Sequence, residues 1–248
     1  PNVLIRKLLT DSRTVIDPAG SLFFAIKAQR DGHHFIANAY ENGIRNFVVS
    51  NSSYQTQYAD ANFLVVDNVL AALQELASYH RDNYSLPIIG ITGSNGKTIV
   101  KEWLYQLLAT DYHIVRSPKS FNSQIGVPLA VWEIAPENNL GIFEAGISRN
   151  QEMQQLAAII KPSIGILTNI GEAHAEGFES KQQKLLEKLK LFGLTIIKKD
   201  TIERELQEYI HKEWDIIFQI TDVNIAKISN NTGSVRIRLL NYKDGING

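Results

Sequence analysis

The 248-residue sequence contains no cysteine and a single methionine. The lack of cysteine excludes disulfides, thiolate metal sites and cysteine nucleophiles. No apolar run approaches the ~20 residues that a membrane-spanning helix needs, and the first residues contain too short an apolar stretch for a signal peptide. Lys and Arg number 25 against 26 acidic residues, which gives no basic footprint for nucleic acid. We therefore expect a cytoplasmic globular protein with no nucleic-acid or membrane partner.

Short β-prone runs alternate with helical patterns along the whole chain, which is typical of a mainly parallel sheet covered by helices. The predicted strands are 21–26, 46–50, 63–66, 88–92, 140–144 and 164–168. The predicted helices are 33–42, one that begins after Asn68, one that carries an apolar face from Ile99 to Leu108, 150–160 and 180–192. A polar, turn-rich segment at 81–87 is the predicted linker.

These patterns predict an α/β fold class with two domains. Residues 1–84 form a small α/β domain, and residues 85–248 form a larger domain with a mainly parallel sheet. The sequence has no initiator Met and ends in a loop-like segment, so we expect both termini to be cuts and the second domain to be incomplete. Residues 193–248 contain β-like runs but no recognisable signature.

The strongest motif is T-G-S-N-G-K-T at 92–98, between a predicted strand and a predicted helix. Backbone N–H groups of such a loop converge on phosphate oxygens, Lys97 would reach the β- and γ-phosphates, and the Thr98 hydroxyl would bind Mg²⁺. The predicted ATP phosphate-binding residues are Gly93, Ser94, Asn95, Gly96, Lys97 and Thr98. The strict G-x-x-x-x-G-K-[ST] pattern is not met because position 91 is Ile, so a simple strand-to-helix turn is the alternative.

Further polar residues stand at the carboxyl ends of the next predicted strands. Glu144 ends the strand 140–144, where a carboxylate near a phosphate loop is a suitable Mg²⁺ ligand. Asn169 and His174 follow the strand 164–168. Taken alone, Glu144 is an ordinary solvated acid as readily as a ligand, Asn169 caps a turn, and His174 has a structural role.

Together these blocks resemble the Mur ligase family. The T-G-x-x-G-K-T spelling is similar to the family's phosphate loop, and K-S-F-N-S-Q-I-G-V-P-L at 119–129 is similar to its Asn-rich segment. The resemblance implies that Asn122, Ser123 and Asn169 contact the muramoyl substrate. It also implies that His174 and Lys188 complete a catalytic and metal-binding set with Lys97, Thr98 and Glu144, with Lys188 carbamylated by CO₂. Lys184 or Lys190 would be the modified residue if the K-x-x-L-F stretch were indexed differently.

The first domain resembles the uridine-diphosphate domain of the same family. The similar segments are T-D-S-R at 10–13, G-S-L-F-F-A-I-K at 20–27 and D-G-H-H-F at 31–35. We predict from them that Ser12, Arg13 and His33 bind the substrate, with Arg13 suited to bidentate phosphate contacts. The alternative is that Asp11, Ser12 and Arg13 form a polar turn and His33 opens a helix.

The resemblance implies an ATP-dependent ligase that uses two Mg²⁺ ions. It would add D-alanyl-D-alanine to UDP-N-acetylmuramoyl (UDP-MurNAc) tripeptide through an acyl phosphate, in peptidoglycan precursor synthesis. The spelling G-E-A-H-A-E-G-F at 171–178 favours this family member over the one that adds a diamino acid. The alternatives are another ligase of the superfamily and, for this chain alone, a non-catalytic module that binds UDP-sugar or nucleotide. Some relatives are fused downstream to an alanine racemase, which is a possible further partner.

Overall fold

The computed structural model describes residues 3–13, 15–170 and 177–192, with backbone alone at 181 and 182, and the backbone of four strands further along the chain. Ten of the twelve strands in the described part of the chain belong to two parallel sheets. The fold class is therefore α/β, as the sequence predicts.

The first sheet has four parallel strands in the order β1-β2-β3-β4. They are β1 Lys7–Leu9, β2 Ser21–Phe24, β3 Asn46–Val49 and β4 Asn62–Val65. The helices of this part are α1 Ile36–Glu41, α2 Tyr54–Gln57 and α3 Val69–Asp82. β3 lies inside the sheet and is buried along its whole length, which explains its continuous apolar run. Packing of Phe23, Phe47 and Val49 against Ile36 forms the core on one face.

The predicted helix at 33–42 is a 3-10 turn, Gly32–Phe35, that continues into α1. Asp31 caps this turn by accepting a hydrogen bond from the His33 amide at 3.0 Å. The chain leaves α1 through Gly43 at a φ of +89°, the left-handed conformation that glycine adopts without a steric penalty. The predicted bounds of this helical segment therefore agree with the structure to within one residue at each end.

The second sheet has six parallel strands in the order β10-β9-β8-β5-β7-β6. They are β5 Ile88–Thr92, β6 Ile114–Arg116, β7 Leu140–Glu144, β8 Ile164–Leu167, β9 Thr195–Lys198 and β10 Ile217–Ile220. The helices are α4 Lys97–Leu108, α5 Gly126–Val131, α6 Glu152–Ile160 and α7 Lys181–Leu189. A separate antiparallel pair joins β11 Ile225–Asn230 and β12 Gly233–Arg238. β5 and β7 are buried throughout and adjacent, so their carboxyl ends lie side by side.

The predicted linker at 81–87 begins too early, because α3 continues through Asp82. Arg81 is buried, and its guanidinium donates to the backbone carbonyls of Tyr84, Leu86 and Ile160 at 2.6, 3.4 and 3.1 Å. Arg81, which the sequence assigns to the linker, therefore links the end of α3 to α6.

α3 packs against both α5 and α6, so the two sheets are joined by a helical layer. Across this junction the Trp132 indole donates to the Arg6 carbonyl at 3.0 Å, and the Lys7 ammonium pairs with Glu133 at 2.7 Å. No helix within the described ranges is long and apolar enough to span a bilayer. The strands of the two sheets lie on either side of the predicted boundary at 84 and 85; the assignment of a separate function to each part stays a prediction.

Candidate nucleotide and metal site

The phosphate loop joins β5 to α4 at the carboxyl edge of the second sheet. Gly93 has a φ of +143°, and a Cβ placed there would lie 1.9 Å from the Thr168 hydroxyl oxygen. Gly96 has a φ of +80° and is the residue from which α4 begins. Both glycines of the motif are therefore required by the backbone, and the first is required by close packing as well.

The loop is held in place by the residues that follow β8. The Ser94 amide donates to the Asn169 carbonyl at 2.9 Å, and the Asn95 amide donates to the Asn169 side-chain oxygen at 2.8 Å. The Thr168 hydroxyl donates to the Asn95 carbonyl at 2.5 Å. Asn169, which we predicted to contact substrate, thus lies directly against the phosphate loop. The first N–H groups of α4 have no acceptor within the helix and point toward this loop, as an anion site requires.

Lys97 folds back over the loop that precedes it. Its ammonium donates to the Gly93 carbonyl at 2.9 Å. Burial lowers the pKa of Lys97, an effect that the nearby Glu144 carboxylate opposes and the Lys184 ammonium reinforces. The Lys97 ammonium therefore already lies over the loop. It would need little rearrangement to contact a phosphate that binds there.

Glu144 ends β7 beneath the loop and is fully buried. Its Oε2 accepts hydrogen bonds from the Thr98 hydroxyl at 3.1 Å and the Asn122 amide at 3.4 Å. Its Oε1 lies 3.0 Å from the Lys101 ammonium, yet it accepts no hydrogen bond of good geometry among the described residues. The two groups are close enough to form an ion pair, but the N–H bonds of Lys101 point in a poor direction for a hydrogen bond to Oε1. Lys101 was not predicted, since a lysine on an amphipathic helix reads as a solvated residue.

These side chains fit the donor set that Mg²⁺ takes beside a nucleotide. Mg²⁺ is commonly bound by one or two carboxylates with phosphate oxygens and water completing its octahedron, and the Thr98 hydroxyl and Glu144 carboxylate supply such oxygens. The described residues contain no group of three or more His, Cys, Asp or Glu side chains placed to hold an ion. Phosphate oxygens of a bound nucleotide and water would supply the remaining ligands.

Lys188 is brought to the phosphate loop by two apolar residues that follow the end of α7. Leu191 is buried, and the Phe192 ring lies so close to β8 that a Cβ on Gly165 would be 1.9 Å from it. This contact fixes the end of α7 on the sheet. Lys188 lies one turn earlier and is buried, with 2% of the residue exposed. Its ammonium donates to the Gly93 carbonyl at 3.3 Å.

The surroundings of Lys188 make it an unusual lysine. Burial, followed by the charges of Lys97 and Lys184, lowers its pKa from 10.5 to about 7. Lys184 is also buried, whereas Lys190 is partly exposed and pairs with Glu187 at 2.6 Å. Of the three lysines that the indexing left open, we favour Lys188, because its ammonium donates to the Gly93 carbonyl of the phosphate loop. His174, predicted as its metal-binding partner, lies outside the described residues.

Asn122 and Ser123 belong to the loop between β6 and α5. The Asn122 carbonyl accepts from the Gly146 amide at 2.7 Å, and the Ser123 hydroxyl accepts from the Gly126 amide at 3.1 Å, which helps to start α5. Asn122 thus lies next to Glu144, while the recorded contact of the Ser123 side chain is local. Their predicted role in substrate binding stays a prediction.

The three residues predicted in the first domain have different surroundings. Ser12 is buried, and its carbonyl accepts from the Asn42 side chain at 2.9 Å. The Arg13 side chain is 84% exposed and pairs with Asp11 at 2.7 Å, so it can exchange that partner for a ligand. The buried His33 ring contacts Asp31 through Nδ1 at 2.6 Å and the Ser50 amide through Nε2 at 3.0 Å. Both ring nitrogens are therefore engaged in the fold, and substrate binding by His33 stays a prediction.

Comparisons with known proteins identify the family to which the chain belongs. The profile of the Mur ligase middle domain matches residues 91–246, and that of the "Mur ligase family, catalytic domain" matches residues 5–81. A UDP-N-acetylmuramoyl-tripeptide–D-alanyl-D-alanine ligase from Borreliella burgdorferi is 37% identical over 195 residues, which are 75% of this chain and 42% of that protein. The enzyme of the same name from Rickettsia prowazekii is 36% identical over 174 residues, 70% of this chain and 38% of its own length.

Among solved structures, MurF from Acinetobacter baumannii aligns with a TM-score of 0.73 at 26% identity, over 95% of this chain and 55% of that one. MurF from Thermotoga maritima, solved with ADP, has the same fold with a TM-score of 0.75 at 23% identity, over 96% of this chain and 59% of that one. The chain spans about two fifths of the length of the two curated relatives. With a family profile that matches more than half of its residues, this chain belongs to the Mur ligase family.

Proposed function

We propose that the complete protein is an ATP-dependent ligase that joins D-alanyl-D-alanine to UDP-N-acetylmuramoyl tripeptide. The observation that carries the proposal is the meeting of the phosphate loop, Lys97, Glu144 and Lys188 at one edge of the second sheet. The two similar ligases from Borreliella burgdorferi and Rickettsia prowazekii, which are named for these substrates, support this choice over the substrates of other Mur ligases.

In the proposed reaction, the terminal carboxylate of the tripeptide attacks the γ-phosphorus of ATP, which gives an acyl phosphate and ADP. The amine of D-alanyl-D-alanine then attacks the acyl carbon, and inorganic phosphate leaves from the tetrahedral intermediate. Lys97 and the loop amides would neutralise charge on the transferring phosphoryl group. Asn169 would act indirectly, because it fixes the amides of Ser94 and Asn95.

Thr98 and Glu144 would hold one Mg²⁺, which when bound supplies charge neutralisation at the phosphate oxygens. Their oxygens already face each other at 3.1 Å. We propose that Lys188 and His174 hold a second ion. An ammonium at Lys188 would repel a cation, so this second site requires that Lys188 be modified.

Carbamylation of Lys188 is supported by its surroundings. The neutral amine is the form that attacks CO₂, with loss of a proton to give the carbamate, and a pKa of about 7 makes that form abundant near neutral pH. Lys97 and Lys184, whose charges disfavour an ammonium at Lys188, would favour the negative carbamate for the same electrostatic reason. The side chain would thereby change from a repelled cation into an anionic oxygen ligand.

The function is tested by phosphate release from the full-length protein with ATP, Mg²⁺ and UDP-N-acetylmuramoyl tripeptide, with and without D-alanyl-D-alanine. We expect release to require the tripeptide and the dipeptide together. Release with the dipeptide-stage precursor and a diamino acid would transfer the assignment to another Mur ligase. If neither pair of substrates supports phosphate release, the ligase hypothesis is refuted. A non-catalytic module that binds nucleotide or UDP-sugar would then be the better account.

A further inference from the structure

Lys101 is a fully buried lysine on α4 to which the proposed mechanism gives no part. Its ammonium donates to the Ser117 carbonyl at 2.8 Å and to the Lys119 carbonyl. It also lies 3.0 Å from Glu144 Oε1 and 3.2 Å from Glu102 Oε1. The chain thus buries an ammonium between the helix that follows the phosphate loop, the end of β7 and the loop after β6.

A lysine in this place is costly for folding. Lys is among the residues least often buried, and its removal from water costs several kcal/mol before any pairing is counted. The next buried position on the same helix is occupied by Leu104, which packs on the sheet. An aliphatic residue at 101 would pack there without a charge, so stability of α4 alone does not account for Lys101.

We propose that Lys101 is the positioning residue for Glu144, a role that rests on the proposed function of Glu144 as a Mg²⁺ ligand. By pairing with Oε1, Lys101 holds the carboxylate so that Oε2 faces the Thr98 hydroxyl. Oε1 has no hydrogen-bond donor of good geometry in the described part of the chain. Without the ammonium, Oε1 would be a buried charged atom with no partner, and the carboxylate would have to turn toward another donor.

The same ammonium ties the loop that leads to Asn122 to this carboxylate. The Ser117 and Lys119 carbonyls accept from Lys101, and the Ser117 hydroxyl accepts from the Glu144 amide at 3.1 Å. Lys119 has a φ of +49°, a left-handed conformation uncommon outside glycine, and its hydrogen bond to Lys101 helps to maintain it. Asn122 then reaches Glu144 Oε2 at 3.4 Å. One buried charge therefore sets the geometry on both sides of Glu144.

The inference is tested by the Mg²⁺ dependence of binding of the fluorescent nucleotide mant-ADP to the 248-residue chain. Lys101→Met keeps the length of the side chain and removes its charge. We expect the Mg²⁺ concentration for half-maximal binding to rise by about 10- to 100-fold, as is typical when a partner of a metal ligand is removed. Glu102→Gln is the matched control, because it removes the outer partner of Lys101 and leaves Glu144 paired; its change should stay below about twofold. An unchanged Mg²⁺ dependence in folded Lys101→Met would overturn the inference.

A second comparison covers the case in which Lys101→Met does not fold. The double variant Lys101→Met with Glu144→Gln leaves no unpaired buried charge, and it is compared with Glu144→Gln alone. If Lys101 acts through Glu144, both should show the same Mg²⁺ dependence, as a double-mutant cycle requires. A further loss in the double variant would show that Lys101 acts by another route and would contradict the proposal.

A crystal structure of Lys101→Met separates this inference from the proposed function. We expect the Glu144 carboxylate to leave the Thr98 hydroxyl and the segment 117–122 to shift. If the Thr98–Glu144 hydrogen bond is retained in this variant, Lys101 does not position Glu144, even if the full-length protein proves to be the proposed ligase. If instead the wild-type chain binds no mant-ADP and the full-length protein releases no phosphate, the proposed function fails, while the position of Glu144 in the variant still decides the role of Lys101.

Discussion

Replacing Lys188 by methionine should change how the stability of the protein depends on pH. Methionine has a similar length and no charge, so the substitution removes the titrating group without leaving a large cavity. In the folded protein the pKa of Lys188 is about 7, against 10.5 for an ordinary lysine. Between these two values the unfolded chain holds a proton at this residue that the folded chain has lost.

The sign and the size of the effect follow from this difference in bound protons. Because the unfolded state binds more protons between pH 7 and 10.5, raising the pH over that range stabilises the folded wild type. The slope for one such group is at most about 1.4 kcal/mol per pH unit. Below pH 7 both states are protonated, so the full penalty of burying the ammonium, roughly 3–5 kcal/mol, is present and constant.

The measurement is urea denaturation of the 248-residue chain and of Lys188→Met from pH 6 to 10, in buffer freed of CO₂. We expect the variant to be the more stable protein near pH 6, and the wild type to gain roughly 3 kcal/mol relative to it between pH 7 and 9.5. Lys161→Met is the control, since this partly exposed lysine on the protein surface pairs with Asp82, and it should show no comparable slope. A difference between wild type and Lys188→Met that stays constant over the whole range would refute the account of a buried, deprotonating amine.

Three further substitutions test the local arguments. Gly93→Ala would place a methyl group against Thr168 at a φ of +143°; we expect a loss of mant-ADP binding and about 1–3 kcal/mol of destabilisation in urea. Asn68→Ala removes the side-chain cap of α3, a bond of 3.0 Å to the Ala71 amide, and should cost about 1 kcal/mol with nucleotide binding unchanged. Arg81→Met leaves buried carbonyls without their donor and should lower the unfolding free energy by about 2–4 kcal/mol. A cost below about 0.5 kcal/mol for Arg81→Met would contradict its role in joining α3 to the second sheet.

The sequence predicts the larger elements well because their signals are local. The strands at 88–92 and 140–144 are confirmed at both ends, since each is an apolar run buried on both faces. Six shorter elements were not predicted: β1, β6, β9, β11, α2 and α5. An element of three to six residues offers too few positions to establish a period, and its formation depends on the neighbours that it pairs with or packs against.

The apolar face of α4 shows how a correct helix can be given the wrong orientation. The sequence groups Ile99, Trp103 and Leu107 with the residues that face the sheet, but each of them is more than half exposed. The face on the sheet centres on Leu104 and includes Lys101. Periodicity could not separate these faces, because apolar residues cover most of the helix circumference. The buried charge at 101 is explained by Glu144, which is 43 positions away along the chain but lies 3.0 Å from the Lys101 ammonium at the end of β7.

The charges around the phosphate loop show how a protein with a net charge of -1 would hold the polyanion that we propose as its ligand. Lys97 and Lys188 both donate to the Gly93 carbonyl, and Lys184 is near enough to lower the pKa of each. The mutual repulsion of these ammonium groups disfavours the protonated states of Lys97 and Lys188 and so lowers the pKa of both. Two events relieve it: binding of the phosphates of a nucleotide, or conversion of Lys188 into an anion. Each event removes the repulsion that favours the other. A carbamate should therefore lower the affinity for nucleotide in the absence of Mg²⁺, and added Mg²⁺ should restore that affinity. The arrangement therefore suits a site that would hold nucleotide and metal together, as the proposed phosphoryl transfer to a carboxylate requires.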